Sequence, residues 1–183
     1  AKKFDLNYIE FILDFNEAEK NPLLTRDGPL EILEMSIETG IVVKTVCADY
    51  FMEAPLHSIE EKIADKSYKI LQRLLDVAVK LDITDIVIPC VDQSTLNSKE
   101  AVERFVVQMK KIIPTLERNG INLSLETDLS PKPFVELLNK EREMNVKLCL
   151  TLNIGFKKTA SAQSSSIYEK KLFFHRFDFT SSD

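Results

Sequence analysis

Residues 121–126 read Ile121-Asn122-Leu123-Ser124-Leu125-Glu126. Side chains alternate along an extended chain, so Ile121, Leu123 and Leu125 share one face and Asn122, Ser124 and Glu126 the other. Residues 146–153 repeat the pattern, with Val146, Leu148, Leu150 and Leu152 set against Lys147, Cys149, Thr151 and Asn153. Near the N-terminus, Glu10 and Asp14 lie opposite Ile9, Phe11, Leu13 and Phe15. A central strand of a doubly wound sheet is covered by helices on both sides and should be apolar on both faces. Here one face is apolar, while the other is small or polar and ends in a carboxylate or an amide. That pattern predicts a β/α barrel, with the apolar face under helices and the polar face lining the interior.

Working outward, the chain alternates between strand and helix signals. Strand candidates cover 8–15, 41–47, 83–89, 121–126 and 146–153. Helix candidates cover 29–39, 58–81, 97–118 and 131–144. Asp27-Gly28-Pro29 is a helix start, and Gly40 and Gly120 follow helical patterns as C-terminal caps. Ser58 and Glu61 have the spacing of a capping box. Val102, Phe105, Val106, Met109, Ile112, Ile113 and Leu116 recur at helical spacing, and Pro114 should kink that helix or shorten its last turn. Strands alternating with helices imply a mostly parallel sheet, and function then belongs at the C-terminal ends of the strands. After residue 155 the character changes: 157–166 are polar and Ser-rich, and 168–179 are dense in aromatics. The expected organisation is a barrel domain over 1–155 and a tail over 156–183, with an extra strand at 168–179 as one alternative for the tail.

The chain has 183 residues, 44% hydrophobic and 29% charged, as in an ordinary globular protein. The net charge of −5 argues against phosphate-backbone binding, so no nucleic-acid partner is expected. No apolar run is long enough to cross a bilayer, and no membrane partner is expected. Cys47, Cys90 and Cys149 are widely spaced and read as reduced thiols in a cytoplasmic setting. Cys47 and Cys149 are most simply small core residues. Neither GxGxxG nor GxxxxGK[ST] occurs, which removes a dinucleotide fingerprint and a P-loop.

Several stretches resemble the xylose-isomerase-like TIM barrels, a family of sugar-phosphate isomerases and epimerases and of endonuclease-four-type repair enzymes. They are FDLNYIEFILDF (4–15), IVVKTVCADYFMEAPL (41–56), LDITDIVIPCVD (81–92), NGINLSLETD (119–128) and VKLCLTLNIG (146–155). Their order matches the family's second to sixth strands. The resemblance implies a divalent metal (Mn²⁺, Mg²⁺ or Zn²⁺) held by Glu, Asp, His and Glu from strands five to eight. It also implies that the metal polarises a sugar carbonyl while glutamates move a proton between adjacent carbons. The first glutamate matches Glu126, so Glu126 is the expected catalytic group and a metal ligand. The aspartate position is Asn153, followed by Ile154, Gly155 and Phe156, which departs from the family's Asp-x-Gly-Asn. The histidine candidate is His175 in LFFHRFD, with Asp178 at the family's spacing and Phe177 in place of a lysine.

The eighth-strand glutamate and the first strand have no counterpart, so an incomplete barrel of five to six strands is expected. Asp49, His57, Cys90 and Gln93 follow strand candidates and are expected substrate contacts. For His57 the alternative is a loop histidine beside Ser58. The implied function is a sugar or sugar-phosphate isomerase or epimerase acting through an enediolate. The alternatives are a non-catalytic or truncated barrel and, with only two histidines and net acidity against it, a multi-zinc repair nuclease. Open barrel edges would also favour a homodimer.

Overall fold

The computed structural model describes residues 6–130, Lys132, Pro133 and Leu137, and the backbone of Leu148–Leu152. Five strands follow one another: β1 (Tyr8–Ile12), β2 (Val42–Cys47), β3 (Asp85–Cys90), β4 (Asn122–Thr127) and β5 (Leu148–Leu152). Every neighbouring pair is parallel, and the order across the sheet is β1-β2-β3-β4-β5. A doubly wound sheet reverses its strand order at a switch point. The sheet described here never reverses, so each connection steps on in the same direction, as in an arc of a β/α barrel. The barrel expected from residue parity is what the topology adopts.

The connections are helical. Helix α1 (Gly28–Thr39) joins β1 to β2 and α3 (Glu61–Leu81) joins β2 to β3, after the short α2 (Tyr50–Glu53). Helix α4 (Lys99–Asn119) leads into β4. Among the described residues, no helix is long and apolar enough to cross a membrane. The core lies between helices and sheet. Val46, Ile86, Leu123 and Leu125 are at most 1% exposed and meet Leu71, Leu74, Phe105 and Met109 from the helices.

Local chemistry sets the helix ends. Pro29 stands in the first turn of α1, where its missing N–H costs nothing. Gly28 is needed for space, since a Cβ there would lie 2.2 Å from the Pro22 carbonyl oxygen. Gly120 closes α4 at φ 65°, and its N–H bonds back to Leu116 and Glu117. Ser98 caps α4, its hydroxyl accepting from the Ala101 N–H at 3.1 Å.

Four local expectations shift. The first strand ends at Ile12, not at 15. The capping box at Ser58 does not form. Helix α3 starts at Glu61 behind Glu60, and the Ser58 hydroxyl accepts instead from the Glu60 N–H two residues on, at 3.1 Å. That local turn competes directly with the cap for the same oxygen. Helix α4 starts at Lys99, two residues after the expected position, and it runs unbroken past Pro114 to Asn119. The domain boundary at 155, the tail 156–183 and the candidate strand 168–179 lie outside the described residues, as does most of 131–144.

Candidate functional site

The two faces of the strands differ as the alternation predicts. Strand register places the interior face in rows. The lowest row runs Glu10, Thr45, Asp85 and Asn122. Asn122 donates to Asp85 Oδ1 at 3.1 Å and Thr84 Oγ1 donates to Asp85 Oδ2 at 2.6 Å, so this row is knitted together at the N-terminal end of the strands. The middle row runs Ile12, Cys47, Val87, Ser124 and the Cys149 position. The upper row has Pro89, Glu126 and the Thr151 position. Glu126 thus stands at the C-terminal end of β4, half-buried, on the interior face.

Cys47 reports on the charges around it. The residue is 6% exposed and buried, as expected of a small core residue, and it stands in the middle row of the interior face. Its Sγ donates to Asp49 Oδ1 at 3.0 Å. Burial pushes the thiol well above its ordinary range, and the bond to Asp49 and the charges of Asp49, Glu10 and Glu126 push it further. Carboxylates from β1, from the end of β2 and from β4 therefore act on one buried thiol. Ser124 occupies the same row. It is 0% exposed, and its hydroxyl has no hydrogen-bond partner among the described residues. A buried hydroxyl left unpaired is costly, so its presence on the interior face is informative.

The remaining sequence candidates separate. Asp49 is on the interior rim through its bond to Cys47. Gln93 is exposed in a short turn after β3 and donates to Glu53 Oε1 at 2.6 Å, which ties that turn to α2 at the rim. Cys90 is corrected. It shares a face with Ile86 and Ile88, is 1% exposed and joins the helix-side core, because an even step from those residues keeps it on their side. His57 is also buried away from the interior rows. Its ring meets Phe105 of α4 edge-on at 6.0 Å, and its carbonyl accepts from Arg104 Nε at 2.8 Å. Burial, with Arg104 nearby, pulls the imidazole down to about 4, so it is neutral near pH 7. Asn153 and His175 lie outside the described residues.

The implied metal can be tested against these side chains. Glu126 offers one hard oxygen donor at a strand end, the right kind of ligand for Mn²⁺ or Mg²⁺. Among the described residues, no three His, Cys, Asp or Glu side chains form a group able to hold an ion. Glu126 is therefore the one expected ligand among the described residues, the other two, Asn153 and His175, lying outside them. Glu10, Cys47 and Ser124 were not chosen from sequence as site residues. Parity did place Glu10 and Ser124 on the polar face, which was the available signal; Cys47 needed the strand register.

With this geometry in place, the comparisons with known proteins are direct. A Haemophilus influenzae protein named for L-ribulose-5-phosphate 3-epimerase activity is 21% identical over 141 residues, covering 76% of this chain and 49% of that protein. A D-psicose 3-epimerase structure from Clostridium cellulolyticum H10, with D-tagatose, is similar with a TM-score of 0.61 at 21% identity. The match covers 81% of this chain and 54% of that one. A Mycobacterium smegmatis structure in complex with magnesium is similar with a TM-score of 0.59 at 14% identity, over 84% of this chain and 53% of that one. The chain spans about half the length of the curated relative it matches. The family model described as the xylose isomerase-like TIM barrel matches residues 1–154, which takes in all five parallel strands and Glu126, and the chain belongs to that family.

Proposed function

We propose that this chain contributes to a sugar isomerase or epimerase, with Glu126 moving a proton at the carbon next to a sugar carbonyl. The observation that carries this reading is the placement of Glu126. It is the penultimate residue of β4, on the interior face, at the C-terminal side of a sequentially ordered parallel sheet, where β/α barrels keep their chemistry. The sugar epimerases among its relatives support the same reaction class.

In the proposed step, the Glu126 carboxylate takes the proton from the carbon α to the carbonyl. The electron pair left behind passes into the carbonyl and forms an enediolate. Return of a proton to the opposite face inverts the centre, and transfer to the neighbouring carbon isomerises the sugar. A divalent cation, when bound, supplies charge stabilisation to the enediolate oxygens. Asn153 and His175 are the proposed further ligands, and Asp49 and Gln93 the proposed rim contacts. The substrate is a sugar or sugar phosphate, and the setting proposed is cytoplasmic. A homodimer that covers the sheet edges belongs to the same reading.

The test is exchange of the substrate proton with solvent. The chain is incubated with D-tagatose in D₂O and Mn²⁺, and deuterium entry next to the carbonyl is followed by NMR. Enzyme-dependent exchange that Glu126→Gln abolishes supports the reading, and absence of exchange in the unaltered chain removes it. Titration calorimetry with Mn²⁺ is the second arm, with weaker binding expected in Glu126→Gln. A second reading, a non-catalytic barrel portion, is favoured by Asn153 and Phe156, which stand where the family's pattern has an aspartate and an asparagine. Metal binding without exchange would select it.

A further inference from the structure

Glu126 stands one residue from the end of β4, where the sheet ladder is about to stop. A group that takes a proton from carbon must be held within a fraction of an ångström of its target, and a strand end alone does not supply that. What lies just past the ladder therefore matters. On the β3 side the chain makes a tight turn, Asp92–Ser94. Ser94 is 0% exposed. Its hydroxyl accepts from the Val91 N–H at 3.1 Å, and the Val91 and Pro89 carbonyl oxygens are its acceptors at 2.9 and 3.1 Å. Pro89 is the register partner of Glu126, so the turn is fastened to the residue next to it across the sheet. Asp92 is held at φ 52°, a left-handed conformation uncommon outside glycine. Gln93 ties the same turn to Glu53 of α2.

On the β4 side, Thr127 is 0% exposed, and its Oγ1 accepts from the Leu129 N–H at 3.2 Å. That local turn fixes Asp128 between the two. Two braced pieces thus face each other, and a side-chain bond joins them: Thr95 Oγ1 donates to Asp128 Oδ1 at 2.5 Å. A hydroxyl donating to a carboxylate at this length is of the strong, charge-assisted kind. The bonds from Glu53 through the turn to Asp128 run along the C-terminal ends of β2, β3 and β4 and stop two residues from Glu126.

We propose that Thr95 and Asp128 are positioning residues for Glu126: their bond clasps the loop after β3 to the loop after β4, and so holds the end of β4, and the Glu126 carboxylate with it, in place for proton transfer. This rests on the sugar reading above and adds to it two residues that act through Glu126.

The experiment uses the full chain with D-tagatose and Mn²⁺ in D₂O, following deuterium entry next to the carbonyl against sugar concentration. Thr95→Val removes the donor and no charge. It lowers the rate at saturating sugar about tenfold, within the roughly 10²-fold that a 1 Å misplacement costs, and leaves KM within about twofold. Thr95→Ser, which retains the hydroxyl, keeps the rate. Asp128 is exposed, so Asp128→Ala keeps the fold, and it slows exchange by a similar factor. The double variant is no slower than the slower single one, because both remove the same bond. The acid limb of the pH profile stays in place in Thr95→Val, which separates lost position from a changed charge around Glu126. An exchanging chain whose Thr95→Val variant keeps its rate, whose Thr95→Ser variant is as slow as Thr95→Val, or whose two single losses multiply in the double variant overturns the clasp and leaves the sugar reading standing. Absence of exchange in the unaltered chain overturns both.

Discussion

The two faces of one sheet behave as different materials. On the helix side, Val46, Ile86, Ile88, Leu123 and Leu125 are sealed under α1, α3 and α4. On the interior side, the residues one step along the same strands are Glu10, Cys47, Ser124 and Glu126. The backbone is common to both, so the contrast is made entirely by side chains alternating at period two. Burial on the helix side holds the arc together. The polar residues of the interior add little to that, and one of them, Ser124, has a buried hydroxyl with no partner among the described residues. A stability cost carried on one face, where the other is so well packed, marks the interior as the working side.

Four measurements would break or sharpen this contrast. Glu126→Gln should lower epimerisation or exchange by about 10²- to 10⁴-fold, the range for losing a general acid–base group. Its thermal midpoint should barely move, and a large loss of stability instead would make Glu126 a structural residue. Phe105→Ala, on the helix side, should behave in the opposite way. Phe105 is 1% exposed, and its removal should cost about 3–5 kcal/mol in urea unfolding, with activity per folded molecule retained.

The third measurement concerns His57, beside that phenyl ring. Its pKa is lowered from 6.5 to about 4 in the folded chain. The unfolded chain therefore takes up a proton between those values that the folded chain refuses. Stability should fall as pH drops through the window from about 6.5 to 4, by about 1 kcal/mol per pH unit, and level off below it. His57→Leu should flatten this part of the profile, and an unchanged slope would show that other groups cause it. The smallest effect belongs to Ser124→Ala. Removing a buried hydroxyl that has no partner among the described residues should leave stability unchanged or raise it by up to about 1 kcal/mol in urea unfolding. A clear loss of stability would mean that Ser124 holds the fold.

Much of this was legible in one dimension. The alternation in 121–126 chose the barrel over the doubly wound sheet, and the glycines at 40 and 120 ended α1 and α4 where expected. The failures have local causes. Ser58 and Glu61 had the spacing of a capping box, but the Ser58 hydroxyl bonds two residues on, to Glu60, and the helix starts later. Spacing cannot rank two turns that compete for one oxygen. Cys90 is the last residue of β3 and Gln93 lies just beyond it, yet one is in the core and the other on the rim. Where a strand stops decides between them, and strand ends are weakly encoded. His57 reads as a loop residue until α4 is brought beside it, when Phe105 and Arg104 enclose it.

The sequence by itself determined the alternation of strands and helices, the side of each strand that is apolar, and the position of Glu126 on the polar side. These follow from backbone periodicity, which neighbours in the chain express without help from distant residues. Only the tertiary structure decided that β1 to β5 lie side by side in chain order. It alone set Asp49 against the Cys47 thiol and left the buried Ser124 hydroxyl without a partner among the described residues. Register between strands is set by packing across the sheet, among residues 25 to 40 positions apart, and the sequence of any one strand does not contain it.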